Sequence, residues 1–197
     1  MTEPPERAPA AVAVRARIRG GLGAARGLAS ADDLAAWVAT TWDEHRRDLF
    51  AFASALSRDP DVADDLVAEA FLRLIREARA DRMPDDPRAW LYRVVANLSL
   101  SRGRRLQTAQ RFVRHLVDRR VTEPADARLL RNELPSDLHA ALLALKPDAR
   151  VAVVMAARGC SGREIATALG RSDTSTRTLL HRARLDLRAR LSTGGHR

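Results

Sequence analysis

Arg177, His181, Arg184 and Arg188 recur every three or four residues near the C-terminus, with Ser175, Thr178 and Arg182 beside them. At about 100° per residue, helical winding gathers the first four on one stripe, apart from a seam of Thr176, Leu180, Ala183, Leu187 and Leu191. A guanidinium offers a planar fork of donors that suits a phosphate or the acceptor edge of guanine. Hydroxyl and imidazole groups bond to either. The chemistry of such a stripe is recognition of a polyanion without covalent change; a solvated arginine face is the plainer reading. A second constellation, Trp90, Arg93, Asn97, Ser101 and Arg104, shares a helix face and is flanked by Arg88 and Arg105. There an aromatic could stack on an unpaired base, an amide could bond to a base edge, and guanidinium groups could hold the backbone. Trp90 as a core residue and Asn97 as a solvated amide are the plainer readings of those positions.

Other chemistries find little support. Cys160 is the only cysteine of the 197 residues, so neither an internal disulfide nor a multi-cysteine zinc site is expected. His115, His139 and His196 lack partners at metal spacing, and no cofactor is expected. Gly20, Gly21, Gly23 and Gly27 have neither the dinucleotide spacing nor a following Gly-Lys-Ser/Thr, so they do not make a phosphate loop. No nucleophile, base and oxyanion group assemble from the sequence, so an enzyme is not expected. The formal charge of +9 favours a polyanionic partner, although Lys146 is the only lysine and the arginine excess partly follows from coding bias. No apolar run approaches a membrane span, and the N-terminus lacks a secretory n-region, so a cytoplasmic protein without membrane insertion is expected.

The elements that must position these residues are helices. Ala and Leu dominate, aromatics make up 4%, and no long β-branched alternation occurs, which predicts an all-α fold. Residues 1–30 read as a flexible tail. Ser30 and Asp33 open one long helix or two short ones, Asp59-Pro60 starts another, and Asp86-Pro87 starts a third that runs to about Ser101. Within it, Leu91, Val94, Val95 and Leu98 form the expected buried stripe. These helices make a unit over 31–106. Residues 107–135, with two prolines and mixed charge, read as a linker. A second unit over 136–191 has helices at Ser136 to Leu145, Pro147 to Arg158, Ser161 to Leu169 and from about Asp173 to Leu191. Residues 192–197 read as a frayed tail. Ser161 and Glu164 form a capping box, and Gly170 followed by Ser172 or Asp173 predicts the tight turn of a helix-turn-helix.

Here the residues carry a resemblance. Leu145-Lys146-Pro147, Gly159 through Ala166, Leu169-Gly170-Arg171-Ser172 and Thr176 through Arg184 resemble region 4 of extracytoplasmic-function sigma factors, a pattern shared with response-regulator helix-turn-helix domains. Upstream, Asp59 through Leu72 resembles region 2.2, and Pro87 through Leu98 resembles regions 2.3 and 2.4. The resemblance implies two helical domains joined by a linker, with core RNA polymerase and promoter DNA as partners and an anti-sigma factor as a possible third. It implies that Asp65, Leu66, Glu69 and Leu72 meet the clamp helices of the largest polymerase subunit, and that region 4 meets the flap. Arg88, Trp90, Arg93, Asn97, Ser101, Arg104 and Arg105 would serve the minus-ten element. Ser175, Arg177, Thr178, His181, Arg182, Arg184 and Arg188 would serve the minus-thirty-five element. Departures from the family pattern are Ser101, Gly103, Gly162, Thr176 and Leu179. A stand-alone helix-turn-helix regulator and a helical sequestering protein are the rival readings.

Overall fold

A computed structural model describes residues 30–57, 59–113 and 134–194, and every regular element among them is an α-helix. They are α1 (Ala31–Leu56), α2 (Pro60–Arg79), α3 (Pro87–Val113), α4 (Ser136–Leu143), α5 (Pro147–Ala157), α6 (Gly162–Leu169) and α7 (Asp173–Gly194). The expected N-terminal tail and most of the expected linker lie outside the described residues.

Local chemistry sets most helix starts. Ser30 Oγ accepts from the Asp33 N–H at 3.1 Å and opens α1, which is a single helix of 26 residues. Asp59 accepts from the Asp61 N–H and Asp86 from the Ala89 N–H, each at 2.9 Å, directly before Pro60 and Pro87. Proline at the first helical position gives up an N–H that has no partner there anyway. α3 continues through Gly103 to Val113, beyond the end expected near Ser101. A single glycine costs a helix only about 1 kcal/mol relative to alanine, and no proline or cap follows it to stop the chain.

α1, α2 and α3 pack as a bundle around Leu49, Phe52, Leu66, Phe71, Leu74, Leu91, Tyr92 and Val95, all buried. Each such side chain withdrawn from water stabilises the fold by about 1.5–3 kcal/mol. The buried side of α3 takes in Tyr92 and Ala96, whereas Leu98, expected inside, is only half-buried. α4 to α7 form the second unit around Leu142, Val151, Met155, Ile165 and Ala183.

The two units abut, with one apolar cluster running through both. Arg88 Nη2 on α3 donates to the Arg158 carbonyl at 2.5 Å, and Arg158 Nη1 lies 3.5 Å from Asp48 on α1. His139 Nε2 on α4 lies 3.2 Å from the Ser54 carbonyl and 3.1 Å from that of Ser57. Two carbonyls around one ring nitrogen require that nitrogen to carry the proton and donate.

Candidate nucleic-acid interface

The turn before α7 is built as the sequence predicts. Ser161 Oγ accepts from the Glu164 N–H at 3.2 Å, and the Glu164 carboxylate accepts from the Ser161 N–H at 2.6 Å. Gly170 ends α6 with φ 61°, a left-handed conformation that only glycine enters without a Cβ penalty. The Arg171 N–H then closes back on the Ala166 carbonyl at 2.9 Å. Of the two candidate caps for α7, Ser172 acts, accepting from the Ser175 N–H at 3.2 Å. Arg171 also reaches Asp148 on α5 at 2.6 Å, which pins the turn to the body of the unit.

On α7 the expected division holds over most of its length. Thr176 and Ala183 are buried, Leu180 and Leu187 half-buried, and only Leu191 at the far end of the seam is exposed. Arg177, Thr178, His181, Arg182, Arg184 and Arg188 are exposed, and Ser175 is half-buried at the helix start. No ion pair among the described residues engages Arg177, Arg182, Arg184 or Arg188, whereas Arg190 is held by Asp186 at 2.8 Å. Four guanidinium groups thus project from one element with no internal anion to neutralise them. Such a surface suits a phosphate backbone.

The minus-ten constellation divides along α3. Asn97, Arg104 and Arg105 are exposed, and Ser101 is half-buried with its hydroxyl accepting from Arg104 at 3.2 Å. Arg88 departs from the expectation. It is spent on the Arg158 carbonyl and lies over the Tyr92 ring, 5.0 Å from its centroid. The sequence could not reveal this, because the acceptor is a main-chain oxygen 70 positions away. Trp90 is neither core nor free; half-buried at the edge of the apolar cluster, it lines with Arg93 a cavity of about 530 Å³ whose far wall is Ser161, Arg163, Glu164 and Thr167. Asp85 and Asp86 complete that cavity.

On α2, Leu72 is 49% exposed and Glu69 faces outward, hydrogen-bonded to Arg73 at 2.8 Å with Arg76 at 3.7 Å. The Arg73 bond holds the Glu69 carboxyl below the usual carboxylate range. Asp65 is exposed and lies 3.9 Å from Arg102 of α3. Leu66 corrects the sequence reading. It is 5% exposed and belongs to the bundle core, since it sits a turn from Val62 and Ala70 on the inward stripe, so no contact through its side chain is open. Trp42, which sequence periodicity put among the core positions, is 36% exposed and meets Phe71 edge-on, with ring centroids 4.8 Å apart.

Cys160 is buried beside the α5–α6 corner, and burial pushes its thiol up to about 11, so it stays protonated and unreactive near neutrality. Among the described residues no cluster of three or more His, Cys, Asp or Glu could hold a metal, and no helix is long and apolar enough to cross a membrane.

Comparison with known proteins places these features. Residues 41–109 match the family model for sigma-70 region 2 and residues 136–187 that for sigma-70 region 4. The extracytoplasmic-function RNA polymerase sigma factor SigE of Mycolicibacterium smegmatis is 32% identical over 75% of this chain and 60% of its own length. The probable extracytoplasmic-function sigma factor SigI of Mycobacterium tuberculosis is 34% identical over 75% of this chain and 53% of its own. The chain therefore spans less than two thirds of the length of these curated relatives. A solved structure of the sigma factor RpoE with the anti-sigma factor NepR, from Bartonella quintana, superposes with a TM-score of 0.63 at 25% identity, covering 78% of this chain and 95% of that one.

Proposed function

Because this chain belongs to the sigma-70 family of RNA polymerase sigma factors, we propose that it binds core polymerase and directs promoter recognition, DNA melting and transcription initiation. The observation that carries this reading is the order and spacing of two helical units, the second ending in a capped reader helix with four unneutralised guanidinium groups. Arg177, Thr178 and Arg182, near the start of α7, face base edges of the minus-thirty-five duplex, with Ser175 at the turn. His181, Arg184 and Arg188 lie along the backbone. Asn97 reads an unpaired minus-ten base while Arg93, Ser101, Arg104 and Arg105 hold the strand and Trp90 stacks on it. Asp65, Glu69 and Leu72 form the surface offered to the clamp helices, with Leu66 seating that helix from beneath, and region 4 meets the flap. The superposed sigma factor was solved with an anti-sigma factor, which supports a similar inhibitory partner for this chain. The lone buried thiol is consistent with a reducing cytoplasm.

The test is transcription from a mapped promoter by purified core polymerase with and without the protein, followed by charge reversal at Asp65 and Glu69. The expected result is a transcript that depends on the protein and is lost on charge reversal, while weak duplex binding by the free protein persists. Tight, specific duplex binding without polymerase, and no polymerase-dependent transcript, would favour a stand-alone helix-turn-helix regulator instead.

A further inference from the structure

The start of α3 and the α5–α6 corner cover one another, and this bears on how the free chain meets DNA. Arg88 donates to the Arg158 carbonyl at 2.5 Å. That carbonyl lies at the end of α5, where Gly159 turns the chain with φ 79° and brings its backbone within 4.0 Å of the Arg88 guanidinium. Arg158 in turn reaches Asp48, and at the other end of the seam His139 donates to the Ser54 and Ser57 carbonyls. Trp90 and Arg93 face a cavity closed on its far side by α6, and the carboxylates of Asp85, Asp86 and Glu164 line the same space. A nucleic-acid strand entering it would meet three negative charges. A guanidinium bonded to a main-chain carbonyl also cannot clasp a phosphate.

We propose that region 4 acts as an intramolecular cover for the upstream half of the minus-ten surface, with the Arg88–Arg158 and His139–Ser54/Ser57 contacts as the latch that must open before single-stranded DNA is bound. This inference rests on the minus-ten assignment made above for α3. The downstream half, Asn97, Arg104 and Arg105, stays exposed while the latch is closed. The contacts are few and polar, so each unit keeps its own core when they part, as expected of an interface between domains within one chain. Arg88 therefore has two exclusive tasks, and the population of the open form sets the free protein's affinity for single strands.

Cys160, the only cysteine of the chain, supplies a native probe. It is buried in the seam, its ionisation felt by Arg88 and Asp86 on one side and Glu164 on the other. The experiment measures the rate at which an aromatic disulfide reagent modifies Cys160 in the full chain, alone and with core polymerase, and in the variants Asp48→Asn and His139→Ala. The same proteins are titrated with a single-stranded oligonucleotide carrying the non-template minus-ten sequence of a mapped promoter. The expected results are faster modification on adding core polymerase, and both faster modification and about tenfold tighter oligonucleotide binding in the double variant. Unfolding would accelerate the thiol reaction but weaken the oligonucleotide, so tighter binding separates release of the latch from damage. Equal rates and equal affinities in all samples, with polymerase-dependent transcription intact, would overturn the latch while leaving the sigma-factor reading standing. Loss of that transcription in the wild-type protein would remove the reading itself.

Discussion

The Arg171 guanidinium lies 2.6 Å from the Asp148 carboxylate and ties the turn before the reader helix to the first turn of α5. Both side chains are more than a third exposed, so solvent and salt weaken the pair, and its worth to stability is at most about 1 kcal/mol. Its larger effect is on direction, because the turn sets the angle at which α7 leaves the unit. Asp148→Ala should leave the urea midpoint almost unchanged while lowering the ratio of specific to nonspecific duplex binding. An unchanged ratio would show that the glycine turn alone aims the helix.

Thr176 is 1% exposed and its hydroxyl has no hydrogen-bond partner. A buried polar group without a partner bears its full desolvation cost, whereas an apolar side chain of the same shape does not. Thr176→Val should therefore stabilise the protein by about 1 kcal/mol. A thermal melt that falls instead of rising would mean that the hydroxyl has a role the structure does not reveal. Duplex affinity should be unaffected, since the residue faces away from the exposed arginines.

His45 is half-buried, and that burial, partly opposed by Glu44, lowers its pKa below the ordinary 6.5. The folded chain then holds the neutral ring while the unfolded chain takes up a proton, so the sign is fixed. This contribution is present above about pH 6.5 and is lost as the pH falls from there towards the lower folded value. His45→Gln should flatten the decline of the denaturation midpoint between about pH 7 and 5.5 relative to the parent chain. Parallel declines in the two proteins would assign the acid sensitivity elsewhere.

What the sequence made legible follows the range of each interaction. The caps at Ser30, Asp59, Asp86 and Ser161 and the glycine turn at Gly170 act within a few residues, so residue type and spacing suffice to place them. The family-like motifs put Asn97 and the α7 arginines on surfaces, and the structure leaves them exposed. Errors arise where a distant element decides. Leu66 has the polarity of a docking anchor but points into the bundle, and Trp42 has that of a core residue but lies at its margin. Arg88 is diverted by a carbonyl from the other unit, and no periodicity within α3 could signal that. Gly103 is a helix breaker by type only; with nothing within 4 Å of its missing Cβ and no stop signal after it, α3 simply continues.

Asn97 and Leu91 separate recognition from folding on one helix. Asn97 is exposed, whereas Leu91 is fully buried. Leu91→Ala should cost about 2–5 kcal/mol, the range for a buried leucine truncated in a packed core. Asn97→Ala should leave the melt and polymerase binding unchanged while impairing promoter opening, read by permanganate reactivity of unpaired thymines. A folded, fully active Asn97→Ala protein would remove this amide from the minus-ten surface.

Arg177 and Arg182 lie on the first half of the exposed face of α7, and Arg184 and Arg188 on the second, which predicts two kinds of loss. A guanidinium that bonds to a guanine edge contributes about 1–3 kcal/mol of discrimination, so its removal should relax sequence preference at one position. One that meets only phosphate releases a counterion on binding, so its removal should lower affinity for every sequence and reduce the salt slope by about one. Measured with the polymerase holoenzyme on promoter duplexes, Arg177→Ala or Arg182→Ala should change the preferred minus-thirty-five sequence. Arg188→Ala should change only the salt slope, because it lies three turns along the helix from the capped end. The two classes are distinguishable in one titration series over promoter variants and salt concentrations. If all four substitutions alter the salt slope alone, α7 grips the backbone without reading it, and the discrimination among promoters must come from the minus-ten surface on α3.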